Sequence, residues 1–254
     1  MALDIYLLWS SNRRFAKKQK EEKKDDVFQL MMRTRDKEIV WDLLSKHVSR
    51  TQSFVTHFAR EQFNRIIDGI CNENRKELRH CGSALKEEQA QLKKFRRKEL
   101  LAMRRIPAPI AIERNTWFHL GANSNQQFMY CLRRMLDPVK EHVDNNFNPL
   151  PQEYIDDFEA TRRKINELMS HTEEMISTNR YSLYDETLAI ADECKDELSV
   201  MRKRVIDRMY RDSDNANLKV SLLYLNILQE SQEFLSIMRH QLRAAKKFLE
   251  NTAR

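Results

Sequence analysis

Glycine and proline are scarce in this chain, and their scarcity constrains the fold more than any other feature. Only three glycines and five prolines occur among 254 residues. Sheets joined by tight turns need many residues that adopt positive φ angles or fix a turn, so a β architecture is not expected. Charged residues make up 33% of the chain and hydrophobic residues 41%, which is enough for a core. The sequence therefore predicts an all-α protein.

Apolar residues recur at steps of three, four or seven positions, which predicts six long helices. Asn115 and Thr116 are predicted to cap the third helix. In the last helix Leu228, Leu235 and Leu242 recur every seven residues, so we expect them to be buried. Polar or proline-containing breaks are predicted at residues 107–109, 148–151, 179–180 and 212–215.

Part of the chain resembles another part when the sequence is compared with itself at a shift of 98. Residues 98–105 and 196–203 then share Glu, Leu, Met and Arg at four of eight positions. Apolar residues stay in phase at the same shift, as with Ile67 and Ile165. A chance match between two amphipathic helices is the alternative. The pattern favours a duplicated unit.

The duplication predicts two tandem three-helix bundles. The first unit is expected at residues 26–148 and the second at residues 149–254. Residues 1–25 are expected to form a juxtamembrane segment, made of the end of a membrane helix and a basic linker.

Within residues 1–24, an apolar stretch containing Tyr6 and Trp9 precedes a basic one. Seven Lys and Arg against three Asp and Glu give this segment a net charge of +4. Aromatic residues followed by basic ones are typical of the cytoplasmic end of a transmembrane helix. Since a bilayer needs about 20 apolar residues, we expect a fragment whose membrane part lies upstream. The alternative is an amphipathic first helix with a solvated basic face.

The four cysteines form no CxxC pair and lie within or beside apolar helical stripes. We expect reduced, mostly buried thiols in a cytosolic protein. The chain also contains no HExxH, GxSxG, GxxxxGK[ST] or GxGxxG motif, and its few glycines leave no loop that could cradle a phosphate. An enzyme is therefore not expected, and no catalytic or cofactor-binding residue is assigned.

Asp192 and Asp196 place two carboxylates one turn apart on one helix. Paired carboxylates on facing bundle helices can hold hard metal ions, but at the shift of 98 their equivalents are Lys94 and Lys98. A solvated acidic face is the alternative. The basic segment at residues 93–98 is interpreted as a solvated face, or as a face turned towards anionic lipid or an acidic partner.

Residues 123–127 are unusually polar within a helix that otherwise faces the core. Ser231 and Gln232 interrupt the apolar pattern of the last helix at a similar depth. Such groups could line a shared central groove. They could equally form a hydrogen-bonded polar layer that fixes the helix register.

A duplicated unit of about a hundred residues, each a three-helix bundle, resembles the PhoU family of phosphate-uptake regulators. Residues 225–230, followed by Ile237 and an apolar tail, look like the final helix of that family. Residues 20–26 and 115–125 resemble more specifically the carboxy-terminal cytoplasmic PhoU-like domain of PiT-type inorganic phosphate transporters. The resemblance covers residues 26–251.

Members of the PhoU family bind metal clusters through an acidic motif on the middle helix of each repeat, with help from the third helix. Asp192 and Asp196 have the matching spacing, and Glu230 of the third helix is present. However, the Gly-Asp that usually follows is replaced by Ser-Gln-Glu-Phe at residues 231–234. We therefore assign no metal ligand.

The resemblance implies a non-catalytic regulatory domain of a membrane phosphate transporter, on the cytoplasmic side of the inner (plasma) membrane. The expected partners are the membrane portion of the same chain, signalling proteins, anionic lipid through residues 13–24 and a second copy in a homodimer. Nucleic acid is not expected. The alternatives are a free-standing helical-bundle adaptor or scaffold unrelated to phosphate, and a PhoU-type phosphate-signalling regulator.

Overall fold

The computed structural model describes residues 26–211 and 215–250. All regular structure in this part of the chain is helical, which confirms the all-α prediction. None of the described helices combines the length and the apolarity that crossing a membrane requires. The predicted juxtamembrane segment at residues 1–25 lies outside the described residues. We number the helices α1 (26–33), α2 (Lys37–Cys71), α3 (Arg75–Met103), α4 (Ala108–Asp144), α5 (Gln152–Thr178), α6 (Tyr184–Arg211) and α7 (Asn215–Leu249).

Asparagine residues in the left-handed conformation follow two of the helices. Asn179 has a φ of 54° and ends α5, and its N–H donates to the carbonyl of Met175. Asn146 has a φ of 51° and follows α4. Asparagine adopts this conformation more readily than other non-glycine residues. The predicted breaks at residues 148–151 and 179–180 are confirmed, whereas most of the break predicted at 212–215 lies outside the described residues.

The start of α4 differs from the sequence prediction. The helix begins at Ala108, so Asn115 and Thr116 lie inside it and do not cap it. Pro109 occupies the first turn, where the missing N–H of proline has no partner within the helix anyway. A proline is therefore compatible with this helix start, and the predicted cap position was wrong.

Two compact units can be distinguished by their internal contacts. Among the described residues, the small unit comprises 26–48 and 96–113, and the large unit comprises 49–95 and the residues from 114 onwards. Helices α2, α3 and α4 each contribute residues to both units. This division does not follow the predicted boundary between residues 148 and 149.

The small unit is held together by α1, α2 and α3. The ring of Phe28 meets the buried His47 edge to face, with centroids 4.5 Å apart. Nε2 of His47 lies 3.2 Å from Oε1 of the buried Glu99. Nη2 of Arg105 donates a 2.9 Å hydrogen bond to the carbonyl of Thr34. The short helix α1 is thereby fixed against the longer ones.

The large unit contains the main apolar core, to which α2 to α7 all contribute. The three leucines of α7 that recur every seven residues are fully buried, as predicted. A smaller cluster of Met175, Ile176, Leu242 and Ala245 is separate from the main core. Along α5 and α7, the buried polar residues Thr172 and Gln241 separate the two clusters.

Three long helices lie on each side of residue 148, and two of their ends recur at the same spacing. Helix α5 ends at Thr178 where α2 ends at Cys71, and α7 begins at Asn215 where α4 begins at Ala108. The residue numbers differ by the same amount in both comparisons, and that amount is larger than the predicted shift. The shift of 98 is therefore wrong as a register, because it aligns Leu78 of α3 with Ile176 of α5.

Buried positions of the two halves coincide when Phe128 is aligned with Phe234, an offset within one residue of that given by the two helix ends. Both rings are fully buried. We call this alignment the Phe128–Phe234 register. Equivalent buried pairs are found in all three helix pairs: Ala59 and Ile165, Phe63 and Met169, Ile70 and Ile176, Leu85 and Ala191, Leu92 and Leu198, Phe95 and Met201, Leu132 and Met238, Leu136 and Leu242, and Val139 and Ala245.

Candidate functional site

Asp192 and Asp196, the acidic pair predicted from the sequence, lie on the exposed side of α6. The carboxylate of Asp192 forms an ion pair with the guanidinium of Arg239 on α7. No group of three or more His, Cys, Asp or Glu side chains suited to a metal ion occurs within the described part of the chain. The interpretation as a solvated acidic face fits this geometry.

The residues of the first half that correspond to Asp192 and Asp196 are different in the Phe128–Phe234 register from those at the shift of 98. In the Phe128–Phe234 register they are Lys86 and Ala90, and no longer Lys94 and Lys98. Lys94 is exposed on α3. Nζ of Lys98 lies 5.4 Å from the ring centroid of Phe28 in the small unit.

Glu230 is buried in α7, with 6% of its surface exposed. Both of its carboxylate oxygens accept hydrogen bonds from Arg134 of α4, at 2.9 Å from Nε to Oε1 and 2.8 Å from Nη2 to Oε2. The hydrogen bond and charge of Glu230 raise the pKa of Arg134. A buried carboxylate needs such a partner, so this third-helix acid joins α4 to α7.

The polar stretch at residues 123–127 contributes Asn125 to a hydrogen-bonded layer. Oγ1 of Thr56 on α2 donates to Oε1 of Gln241 on α7 at 2.8 Å. Nε2 of Gln241 donates to Oδ1 of Asn125 on α4 at 2.9 Å. All three side chains are buried. Of the two interpretations given to these residues, the polar layer is the one observed here, because the groups bond to one another.

Ser231 and Gln232 have different surroundings. Ser231 is fully buried, and its hydroxyl donates to the carbonyl of Ile227 in its own helix at 2.7 Å. Nε2 of Gln232 donates to the carbonyl of Lys195 on α6 at 2.8 Å. Nη1 of Arg202 donates to Oε1 of Gln232 at 3.0 Å. Gln232 therefore connects α7 to α6, whereas Ser231 bonds within its own helix.

The four cysteines are free thiols, and three of them are buried. Burial raises the pKa of Cys81 and of Cys194 to about 11, and that of Cys131 well above its usual value. A thiol must lose its proton to act as a nucleophile or metal ligand. Burial therefore disfavours the reactive thiolate form of these three cysteines at neutral pH.

Two surface features were not identified from the sequence. The first is an exposed apolar surface at the end of α6 and the start of α7, which we call the hairpin surface. The second is a basic groove between α3 and α4, lined by Arg79, Lys86, Arg133 and Lys140 among others, which we call the α3–α4 groove. The hairpin surface consists of Ile206, Tyr210, Leu218 and Leu222.

Both features were in principle detectable as pairs of similar residues at helical spacing. Ile206 and Tyr210 are four residues apart, as are Leu218 and Leu222, and basic residues of the groove are seven apart on each helix. Such spacing is equally common in buried stripes and solvated faces. The packing of the helices was needed to distinguish them.

Comparison with known proteins adds no relative. No protein-family model matches the chain, and no curated protein is similar to it. The resemblance to the PhoU family therefore rests on the residues and repeat of this chain.

Proposed function

We propose that the chain is the non-catalytic cytoplasmic regulatory portion of a membrane inorganic phosphate transporter. We further propose that it consists of a duplicated PhoU-like unit of three helices. The observation that carries the proposal is the recurrence of buried positions in the Phe128–Phe234 register through all three helix pairs. Such recurrence is typical of a duplicated structural unit.

The amino-terminal sequence supports the link to a membrane. Residues 1–24 combine the aromatic Tyr6 and Trp9 with a net charge of +4, from seven basic and three acidic residues. Basic residues next to a membrane-spanning helix favour the cytoplasmic side and attract anionic lipid headgroups. A helical domain after this segment would therefore lie at the cytoplasmic surface of the membrane.

The hairpin surface supports a function in protein contacts. Tyr210 is 87% exposed and Leu222 is 52% exposed. Ile206 of α6 and Leu218 of α7 are also exposed. Exposed large apolar residues grouped at one end of a helical hairpin are typical of interaction surfaces. We propose that the hairpin surface contacts the membrane portion of the transporter.

The reading frame upstream of Met1 provides the first test. Several hydrophobic segments of about 20 residues, in frame with this chain, are expected. A reading frame without them would refute the transporter assignment and leave the free-standing adaptor as the better explanation.

The second test uses cells that carry the complete transporter. Tyr210→Asp and Leu222→Asp should change how phosphate uptake responds to external phosphate, because a charge disrupts an apolar contact. Val200→Asp is the matched control, since Val200 is an exposed apolar residue of α6 outside the hairpin surface. Unchanged uptake in the two test variants would exclude the hairpin surface as the contact.

A further inference from the structure

The α3–α4 groove is an open cavity of about 370 Å³ in the large unit. Buried apolar side chains from both helices form its floor, and Gly82 and Ser83 lie along its α3 side. A cavity of this size is comparable to small-molecule sites. Its rim carries four basic side chains: Arg79 and Lys86 from α3, and Arg133 and Lys140 from α4.

The four basic residues are regularly arranged. Arg79 and Lys86 are seven residues apart on α3, and Arg133 and Lys140 are seven residues apart on α4. Seven residues correspond to about 10 Å along an α-helix. Each wall of the groove therefore presents two positive charges separated by about two helical turns.

The basic side chains exceed the acidic ones nearby. Nη2 of Arg79 lies 3.3 Å from Oδ1 of Asp144, and Nε of Arg133 lies 3.6 Å from Oδ2 of Asp137. Within the described residues, Lys86 and Lys140 form no ion pair. Four cations and these two carboxylates leave a net charge of +2 (4 − 2) at the groove.

The equivalent place in the second half of the chain has a cation and an anion where the groove has two cations. In the Phe128–Phe234 register, Arg133 corresponds to Arg239, and Lys86 corresponds to Asp192. Asp192 and Arg239 form an ion pair between α6 and α7. In the first half a lysine replaces that aspartate, so two cations line the groove where the second half has a cation and an anion. An anionic ligand would balance this charge.

The space in the groove also comes from a difference between the halves. Gly82 corresponds to Leu188, which packs against the small apolar cluster. A Cβ atom placed on Gly82 would meet Cδ2 of Leu136 at 3.6 Å, which is an ordinary contact. Gly82 is therefore not required by crowding or by its backbone conformation. Its effect is to leave the groove open.

We propose that the α3–α4 groove binds a small anion that carries two or more phosphate groups. The two cations on each helix start from backbone positions about 10 Å apart, so a chain of two or three phosphates can contact more of the four cations at once than a single phosphate can. Charge-assisted hydrogen bonds from arginine and lysine to phosphate oxygens are strong, and all four basic residues line the groove. The proposal goes beyond the transporter assignment and does not depend on it.

Isothermal titration calorimetry of the complete chain with inorganic tripolyphosphate tests the proposal. One site per chain is expected, and the affinity should fall as salt is added because the charges are screened. Inorganic phosphate should bind at least about tenfold more weakly, because it carries less charge and contacts fewer of the four cations. Absence of saturable tripolyphosphate binding would overturn the proposal.

Three variants distinguish the groove from a general positive charge. Lys86→Asp recreates the ion pair of the second half, and Gly82→Leu fills the cavity without changing the charge. Each should weaken tripolyphosphate binding at least about tenfold. Lys94→Asp makes the same charge change at an exposed position of α3 outside the groove, and it should weaken binding less than about threefold. Melting temperatures should show that all three variants are folded.

Three outcomes count against the groove. An equal loss of affinity in Lys86→Asp and Lys94→Asp would mean that the binding is diffuse electrostatics. Binding to vesicles that contain an anionic phospholipid, without binding of soluble tripolyphosphate, would assign the basic residues to a membrane surface. Retained affinity in Gly82→Leu would place the ligand elsewhere.

Discussion

Phe128 of α4 and Phe234 of α7 meet edge to face, with ring centroids 5.1 Å apart. Both side chains are fully buried. Phe63 of α2 stacks on Phe234 at the same centroid distance of 5.1 Å. Two residues that occupy equivalent positions in the two halves of the chain thus contact each other directly in the core.

This contact predicts an energetic coupling between Phe128 and Phe234. Phe234→Ala and Phe128→Ala should each lower the free energy of unfolding by about 3–5 kcal/mol, because each leaves a cavity. The double variant should cost less than the sum by about 0.5–1.5 kcal/mol, which is the typical strength of an aromatic pair. Urea denaturation of the four proteins in the double-mutant cycle measures the coupling. Strict additivity would show that the two rings contribute independently.

Leu235→Ala is predicted to destabilise the protein strongly. Leu235 is fully buried in α7, and truncation of a buried leucine costs about 2–5 kcal/mol. Arg243 is exposed on the same helix, so Arg243→Ala should change the free energy of unfolding by no more than about 0.5 kcal/mol. Lys246 is a poor control, because its Nζ lies 3.9 Å from the ring centroid of Tyr184. Similar urea midpoints for the two variants would contradict the assignment of the buried face.

Thr56→Val tests the hydrogen-bonded layer. The variant keeps the shape of the side chain but removes the donor to Oε1 of Gln241. A buried acceptor that loses its partner costs about 1–3 kcal/mol. Thr178→Val is the matched control, because the Thr178 hydroxyl donates to the carbonyl of Glu174 at an exposed site. A difference of less than about 0.5 kcal/mol between the two variants would mean that water replaces the lost donor.

The buried thiols predict a loss of stability at alkaline pH. Burial raises the pKa of Cys81 and Cys194 from 9.0 to about 11. Between these values the unfolded chain loses thiol protons that the folded protein keeps, so stability is complete below pH 9 and falls as the pH rises towards 11. Cys81→Ala combined with Cys194→Ala should reduce this slope in urea melts across that range. An unchanged slope would exclude the thiols as its source. The slope would then come from other groups such as Tyr224, because burial also raises the pKa of Tyr224.

The helices of this chain were largely predictable from its sequence, because local signals mark their limits. Prolines at residues 107–109 and 149–151 interrupt the apolar periodicity, and Asn179 adopts the left-handed conformation expected at a helix end. The cap at Asn115 was wrong because a capping residue can also lie within a helix. Pro109, in the first turn of α4, was the better signal for the start of this helix.

The sequence suggested the proposed repeat, but it did not indicate the Phe128–Phe234 register. The shift of 98 relied on a match between residues 98–105 and 196–203, which pairs the half-buried Leu100 with the fully buried Leu198. Identical residues at positions that differ in burial arise by chance between amphipathic helices. Burial restricts residue choice much more, and in the Phe128–Phe234 register the buried positions coincide. The α3–α4 groove depends on this register and on which helices are neighbours, so the sequence could not predict it.

The layer formed by Gln241 also has a kinetic consequence. Helix α7 is continuous, yet Leu242 and Ala245 belong to the small cluster, while its residues from Val220 to Met238 belong to the main core. A segment whose apolar residues belong to a small separate cluster can open at a lower free energy than the whole molecule unfolds. In native-state hydrogen exchange, the amides of residues 242–249 should therefore exchange together through a sub-global opening, well before those of residues 223–238. One geometrically uninterrupted helix would then behave as two foldons that meet at a single glutamine.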